Sequence, residues 1–288
     1  MPINYFTIIK SYLQDRLFQV KYKDSCTGLR KIRSGVPQGS ILGPLLYLLF
    51  TRDLPSAENI FIATFADGTA IGASDIDPEK ASESLQTILE DTEDWLKKWR
   101  IKVNGSKCIH VTFTTRRGNC TPVFLNNEEI LHAEDVKYLG IHLGRRLTWK
   151  KHIFTKRKQL GFKLRNMYWL LGKSSTLSIE LKLLLYKSIL KPIWTYGIQL
   201  WGTAANSNIE ILQRFQSKLL RMVTNAPWFV SNEIIHRNLQ IPTIKDEIKR
   251  YSRAYQKKIS YHPNILVENL MAPKPARRLQ LKITSDLV

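Results

Sequence analysis

Residues 34–50, SGVPQGSILGPLLYLLF, decide how this chain is read. The first half is turn chemistry: glycine reaches backbone angles closed to other residues, and proline fixes one of its own. Gly35 and Gly39 would let the backbone approach a ligand closely, and the Gln38 amide both donates and accepts. The second half reads as a helix. Pro44 suits a first turn, where a missing N–H costs nothing, and residues 45–50 are apolar on all sides, as in a buried helix. Taken alone, a flexible loop entering a helix is only a loop.

Working outward, Tyr5, Ile8, Ile9, Tyr12 and Leu13 recur at helical spacing, and Phe18, Val20 and Tyr22 then alternate as a strand does. Turn residues at 24–28 suggest a hairpin leading into the glycine-rich loop. Downstream, residues 59–63 and 69–73 flank a turn containing Asp67-Gly68, a strong hairpin signal. Asp77 reads as an N-cap with Pro78 at the first helical position, followed by Ala81, Leu85, Ile88, Thr92, Trp95 and Trp99. Residues 109–113 suggest a strand and residues 136–143 another. Beyond Trp149 the pattern is helical: one helix through Ile153, Leu160, Leu164, Tyr168 and Leu171, a second over 177–194 limited by Pro192, and a third over 207–224. Helices and strands mixed up to Trp149, with helices beyond it, are expected to make an α+β chain.

At 288 residues with 43% hydrophobic side chains, the chain has material for one large core or two ordinary ones. Lys plus Arg number 44 against 24 Asp plus Glu, a net charge of +20, so a polyanion is the natural partner. The basic charge is local. Residues 141–191 hold 13 Lys plus Arg against Glu180 alone, whereas residues 75–94 hold eight acids and one lysine. Nucleic acid comes first and a membrane surface second; the longest apolar run, 41–50, is far short of the roughly 20 residues that span a bilayer. No membrane partner is expected. The N-terminus lacks a secretory pattern, which predicts an intracellular chain that is not secreted. Cys26, Cys108 and Cys120 form an odd set without Cys-x-x-Cys spacing, so reduced thiols and no disulfide partner are expected. Cys108, His110, Cys120 and His132 could be drawn as a metal site, but their spacing favours structural roles.

Five ordered blocks carry a family resemblance. The segment 34–50 resembles motif B of the reverse transcriptases of non-LTR retrotransposons, and Phe65-Ala66-Asp67-Gly68 follows where that family has its FADD turn. WLKKWRIKVNGSKCIHVTF (95–113), VKYLGIHLGRRLTWKKHI (136–153) and LYKSILKPIWTYGIQLWG (185–202) then occur in order, and together the blocks resemble the jockey-like group. The resemblance implies a partial polymerase palm over 1–145, a mostly α-helical basic thumb over 146–225, and a C-terminal extension over 226–288. It also implies an RNA template, a DNA primer, and Mg²⁺ or Mn²⁺. By the same resemblance Gly35, Pro37, Gln38 and Gly39 line the nucleotide pocket. Residues 138–149 resemble the primer grip, where Arg145, Arg146, Lys150 and Lys151 would meet phosphates and Trp149 either stacks or packs as a core residue.

Nucleotidyl transfer uses two metal ions about 3.5 to 4 Å apart, held by clustered carboxylates. Family members draw these from a strand upstream of motif B and from the paired aspartates of the FADD turn. The chain is expected to start after the first and has Gly68 in place of the last, so Asp67 alone remains as catalytic and metal-ligating candidate. Asp75 would lie roughly 23 Å from Gly68 along an extended strand. The expectation is a reverse transcriptase fragment, RNA-directed DNA polymerase by descent, without activity as this chain. A non-enzymatic nucleic-acid binder using the basic thumb, and a decayed reading frame with no role, stand as alternatives. An uncovered palm-sheet edge beside the hairpin predicts association.

Overall fold

The computed structural model describes residues 2–264 apart from Gln38, Asp67 and Asn119, together with Val267 and Leu287. The basic tail at 272–278 lies outside the described residues. Two compact units form, one from residues 1–104 with 123–129 and the other from 105–122 with 130–288. Helices and strands are mixed, as an α+β chain requires.

In the first unit, α1 (Ile3–Leu13) takes up the predicted helical stretch, yet none of its residues is buried. Four two-residue strands follow: β1 (Leu17–Phe18), β2 (Lys21–Tyr22), β3 (Ser25–Cys26) and β4 (Arg30–Lys31). They nest as antiparallel pairs, β1 with β4 and β2 with β3. Next comes α2 (Leu42–Phe50), where the expectation of a buried helix is corrected: Gly43 alone is buried, while Leu45, Leu48 and Leu49 are exposed. The hairpin of β5 (Ile60–Phe65) and β6 (Gly68–Ala73) forms as the sequence signals, in register from Ile60 opposite Ala73 to Phe65 opposite Gly68. Ala66 at φ 50° supplies the left-handed angle that a two-residue hairpin loop needs.

α3 (Pro78–Trp99) starts as read, with the Asp77 carboxylate accepting the Glu79 N–H at 3.0 Å. Ile88, Leu89, Thr92 and Trp95 are its buried stripe, and Arg100 ends it at φ 56°. β7 (Ile109–His110) belongs to the second unit. β8 (Phe124–Leu125) and β9 (Glu128–Glu129) form a small hairpin on α3, where the Gln86 amide oxygen accepts the Phe124 N–H at 2.8 Å.

In the second unit, β10 (Leu131–His132) pairs parallel with β7. The single strand expected over 136–143 is instead a hairpin of β11 (Asp135–Tyr138) and β12 (Ile141–Gly144). Leu139 at φ 45° and Gly140 at φ 78° reverse the chain between them, a turn hidden in the sequence because Leu139 looks like a strand residue. The helices follow: α4 (Lys150–Asn166), α5 (Tyr168–Leu171), α6 (Ile179–Leu185), α7 (Lys191–Thr195), α8 (Ile198–Trp201), α9 (Asn206–Thr224), α10 (Asn232–Leu239) and α11 (Ile244–Ser260). A π turn at Tyr186–Leu190 joins α6 to α7, so Pro192 is accommodated where an unbroken α-helix would clash with it. Ile153, Leu160, Leu171, Trp194, Trp201, Leu212 and Leu219 are fully enclosed, which makes this the better-packed unit. No helix among the described residues is long and apolar enough to cross a membrane.

Candidate nucleic-acid interface

α4 is fixed by its inner face. Ile153 and Leu160 are buried in the core, and His152 beside them is wholly enclosed. The outer face is therefore determined by geometry, and it carries Phe154, Lys158, Phe162 and Arg165, spaced four, four and three residues apart. Trp169 follows four residues after Arg165, on α5. All five side chains are exposed, with Phe162 at 64% and Trp169 at 72%. From Phe154 to Arg165 the row runs about 16 Å at 1.5 Å per residue. Aromatic faces alternating with cations can stack on bases or sugars and neutralise phosphates together.

The residues expected at the primer grip separate into three groups. Arg146 and Lys150 are exposed. Arg145 turns inward, donating to the Gly118 and Arg116 carbonyls and to Glu134, and Lys151 is exposed but closed onto Asp135 at 2.5 Å. Trp149 is packed in the core, its indole N–H donating to the Thr203 hydroxyl at 2.9 Å. Of its two readings, stacking or packing, the structure has packing. The hairpin loop between β11 and β12 is held against the helices, since the Tyr196 hydroxyl donates to the Leu139 carbonyl at 2.6 Å.

Behind the α4 face, the His152 ring accepts the His142 N–H at 3.3 Å. Burial, with Lys156 and His142 adding to it, drives the His152 imidazole down to about 4. In the first unit, the glycine-rich loop takes the geometry that its sequence asks for: Gly35 and Gly39 lie at φ 81° and 80°, with open space where a side chain would project from either. Pro37 is exposed between them, and Gln38 lies outside the described residues.

Asp67, the one catalytic and metal candidate, also lies outside the described residues. Gly68 is described as the first residue of β6, opposite Phe65, and an added Cβ would meet the Phe65 carbonyl at 3.4 Å. A side chain therefore has room there. Asp53, just past the end of α2, has contacts that the sequence does not signal: its carboxylate accepts the indole N–H groups of Trp95 at 2.9 Å and Trp99 at 3.2 Å. The Trp95 bond is the main cause that lowers its pKa. Phe50 packs edge-on against Trp99, so this cluster ties the end of α2 to α3. Cys26, Cys108 and Cys120 are free thiols. His110 and His132 face each other in register, and no group of three His, Cys, Asp or Glu side chains among the described residues could hold a metal ion.

Residues 1–143 match the family of reverse transcriptases (RNA-dependent DNA polymerases). The chain is 37% identical over its full length to a Drosophila melanogaster protein named "Probable RNA-directed DNA polymerase from transposon X-element", covering 32% of that protein. It is 36% identical to the "RNA-directed DNA polymerase from mobile element jockey" of the same fly, over 93% of this chain and 30% of the relative. The similarity to the "Probable RNA-directed DNA polymerase from transposon BS" is 36% over 98% of the chain and 32% of the relative.

The chain belongs to the jockey-like non-LTR reverse transcriptases. It spans about a third of the length of the relatives it matches. No solved structure matches it. Within this reverse transcriptase family chain, the sequence reading overlooked Phe154, Phe162 and Trp169. The signal was present: once Ile153, Leu160 and Leu164 are assigned to the core, the aromatic residues left on the basic helix must face outward.

Proposed function

We propose that the chain contributes the palm from motif B onward over 1–145, a template–primer-gripping thumb over 146–225, and an extension over 226–288. The observation that carries this reading is the exposed row Phe154, Lys158, Phe162 and Arg165, with Trp169 following it, on the most basic part of the chain. Arg146 and Lys150 extend the same cationic region in sequence, and the bound partner is an RNA template paired with a DNA primer. Gly35, Pro37, Gln38 and Gly39 are the residues assigned to the nucleotide pocket, as in the family's motif B loop.

The family implies Mg²⁺ or Mn²⁺, and the donors within these residues do not fit a two-ion site. Phe65, Ala66 and Gly68 beside Asp67 carry no carboxylate. Asp53 is committed to two indoles, and Asp75 accepts the Asp77 N–H at 2.8 Å. Hard divalent ions need several oxygen ligands, so one carboxylate does not assemble the pair. This stretch accordingly grips nucleic acid without extending a primer by itself.

Two measurements test the reading. Binding of a labelled RNA–DNA hybrid should weaken steeply with salt, with a log–log slope of about −0.9 per phosphate neutralised. Lys158→Ala and Arg165→Ala should each flatten that slope by about 1. Salt-independent binding would reject the thumb assignment. In primer extension with Mg²⁺ or Mn²⁺ the purified chain should give no product, and extension that Asp67→Ala abolishes would reverse the proposal on catalysis.

A further inference from the structure

The loop between α9 and α10 displays two large aromatic side chains to solvent. Trp228 is 89% exposed and Phe229 72% exposed, side by side at the tip of a turn closed by the Val230 N–H donating to the Pro227 carbonyl at 3.2 Å. Their rings meet edge to face with centroids 6.1 Å apart. Such exposure is costly in water and, for a contiguous pair, marks a contact surface.

The loop is held rigid from below. The Arg221 guanidinium, in the last turn of α9, donates to the Pro227 carbonyl at 2.6 Å, the Val230 carbonyl at 2.7 Å and the Asn232 side chain at 2.9 Å. One buttressing cation thus fixes both ends of the turn, and the aromatic tip is presented with little conformational freedom left to lose on binding.

A groove of about 330 Å³ runs along α9 beside this loop, lined by Arg214, Lys218, Arg221 and Asn232 among others. Arg214, Lys218 and Arg221 are spaced four and three residues apart, so they share one helix face over about 10 Å. Glu210 also lines the groove and faces Lys245 at 3.5 Å, which offsets its charge. A row of cations leading to a rigid pair of exposed rings suits an unpaired polynucleotide, whose phosphates follow the cations while a base stacks at the tip. A duplex would hide the base faces that Trp228 needs.

We propose that the Trp228–Phe229 tip and the α9 groove form a binding site for single-stranded nucleic acid, with Trp228 stacking on a base and Arg214 and Lys218 on adjacent phosphates. The site is separate from the α4 row, and it requires no polymerase activity.

The full chain would be photocrosslinked to a 20-nucleotide oligo(U) carrying 4-thiouridine, then digested with trypsin. Cleavage after Arg221 and Arg237 isolates residues 222–237, a peptide that holds both rings. Crosslinks on that peptide at Trp228 or Phe229 are expected. In fluorescence anisotropy, Trp228→Ala should weaken binding of labelled oligo(U) by about 5- to 150-fold, the range for loss of one stacked base. Trp228→Phe should recover most of it. Because the indole is exposed, Trp228→Ala should melt as the parent does, which separates lost stacking from lost folding. An abasic oligonucleotide of equal length should bind the parent and Trp228→Ala alike. Absence of crosslinks on peptide 222–237, or unchanged oligo(U) binding by Trp228→Ala, would overturn the proposal. Loss of self-association in Trp228→Ala with oligo(U) binding intact would overturn it in favour of a protein contact.

Discussion

His152 shows how burial at a single residue sets a pH response. Its ring is wholly enclosed, and its folded pKa is lowered from the ordinary 6.5 to about 4, chiefly by burial and then by Lys156 and His142. The unfolded chain therefore binds the proton first as pH falls. The His152 contribution to stability should be level above pH 6.5, decline between 6.5 and about 4, and level off below that, a loss of up to about 3 kcal/mol to which His110 and His142, also lowered by burial, add. Urea midpoints measured from pH 7.5 to 4 would trace the decline, and His152→Gln should flatten it; an unchanged slope in that variant would assign the acid sensitivity elsewhere. Gly68 yields a second prediction. Since a Cβ there meets only one carbonyl at ordinary contact distance, Gly68→Asp should fold with an unchanged melting midpoint and still fail to extend a primer. A clear loss of stability would show that glycine is needed by the hairpin after all. The sequence announced the hairpin but not this tolerance, because Asp-Gly is read as turn chemistry while the register makes Gly68 the first strand residue.

At the scale of elements, legibility followed the strength of the local signal. α3 was readable from end to end because its cap, its proline and its apolar stripe agree. The β11–β12 reversal was not, since its left-handed Leu139 is set by the pairing of the flanking strands and by Tyr196 instead of by its own preference. The helix read over 177–194 was expected to be limited by Pro192; α7 ends at Thr195, and the chain takes up the proline by widening to a π turn before it. That widened segment is anchored from α11. Glu247 is 1% exposed and accepts from Lys191 at 2.5 Å and from Arg250 at 2.6 Å. The Tyr186 hydroxyl, on the π turn itself, accepts from Gln216, whose amide also donates to the Pro242 carbonyl. Arg250 is mostly exposed, so Lys191 is the one cation that Glu247→Ala leaves largely enclosed, and the variant should destabilise the helical unit by about 1 to 3 kcal/mol. Chemical denaturation followed by far-ultraviolet circular dichroism would measure it. A loss below about 1 kcal/mol, the scale of exposed ion pairs, would mean that the group is effectively solvated.

On the scale of the whole molecule, the two units differ in how completely they satisfy their own sequence. The helical unit encloses Trp194, Trp201 and a broad set of leucines, as its apolar periodicity demands. The first unit does not enclose what its sequence offers for burial: Tyr5 and Phe6 on α1, Ile41 and Leu48 at α2, and Phe61 and Phe65 on β5 are all exposed. Among the described residues β5 pairs with β6 alone, so the hairpin keeps open backbone edges next to apolar side chains. Sequence could identify α2 as a helix meant for burial, but only the packing shows that these residues leave it uncovered. Apolar area of this kind, with unpaired strand edges, favours contact between copies. The purified chain should therefore associate at micromolar concentration despite its net charge of +20, and the association should tighten with added salt as charge repulsion is screened. Sedimentation velocity across a concentration and salt series tests this, and Leu48→Lys with Phe61→Lys should shift the distribution toward monomer. A parent chain that sediments as a monomer throughout and unfolds in one cooperative step would show that the exposed face is tolerated by the isolated unit.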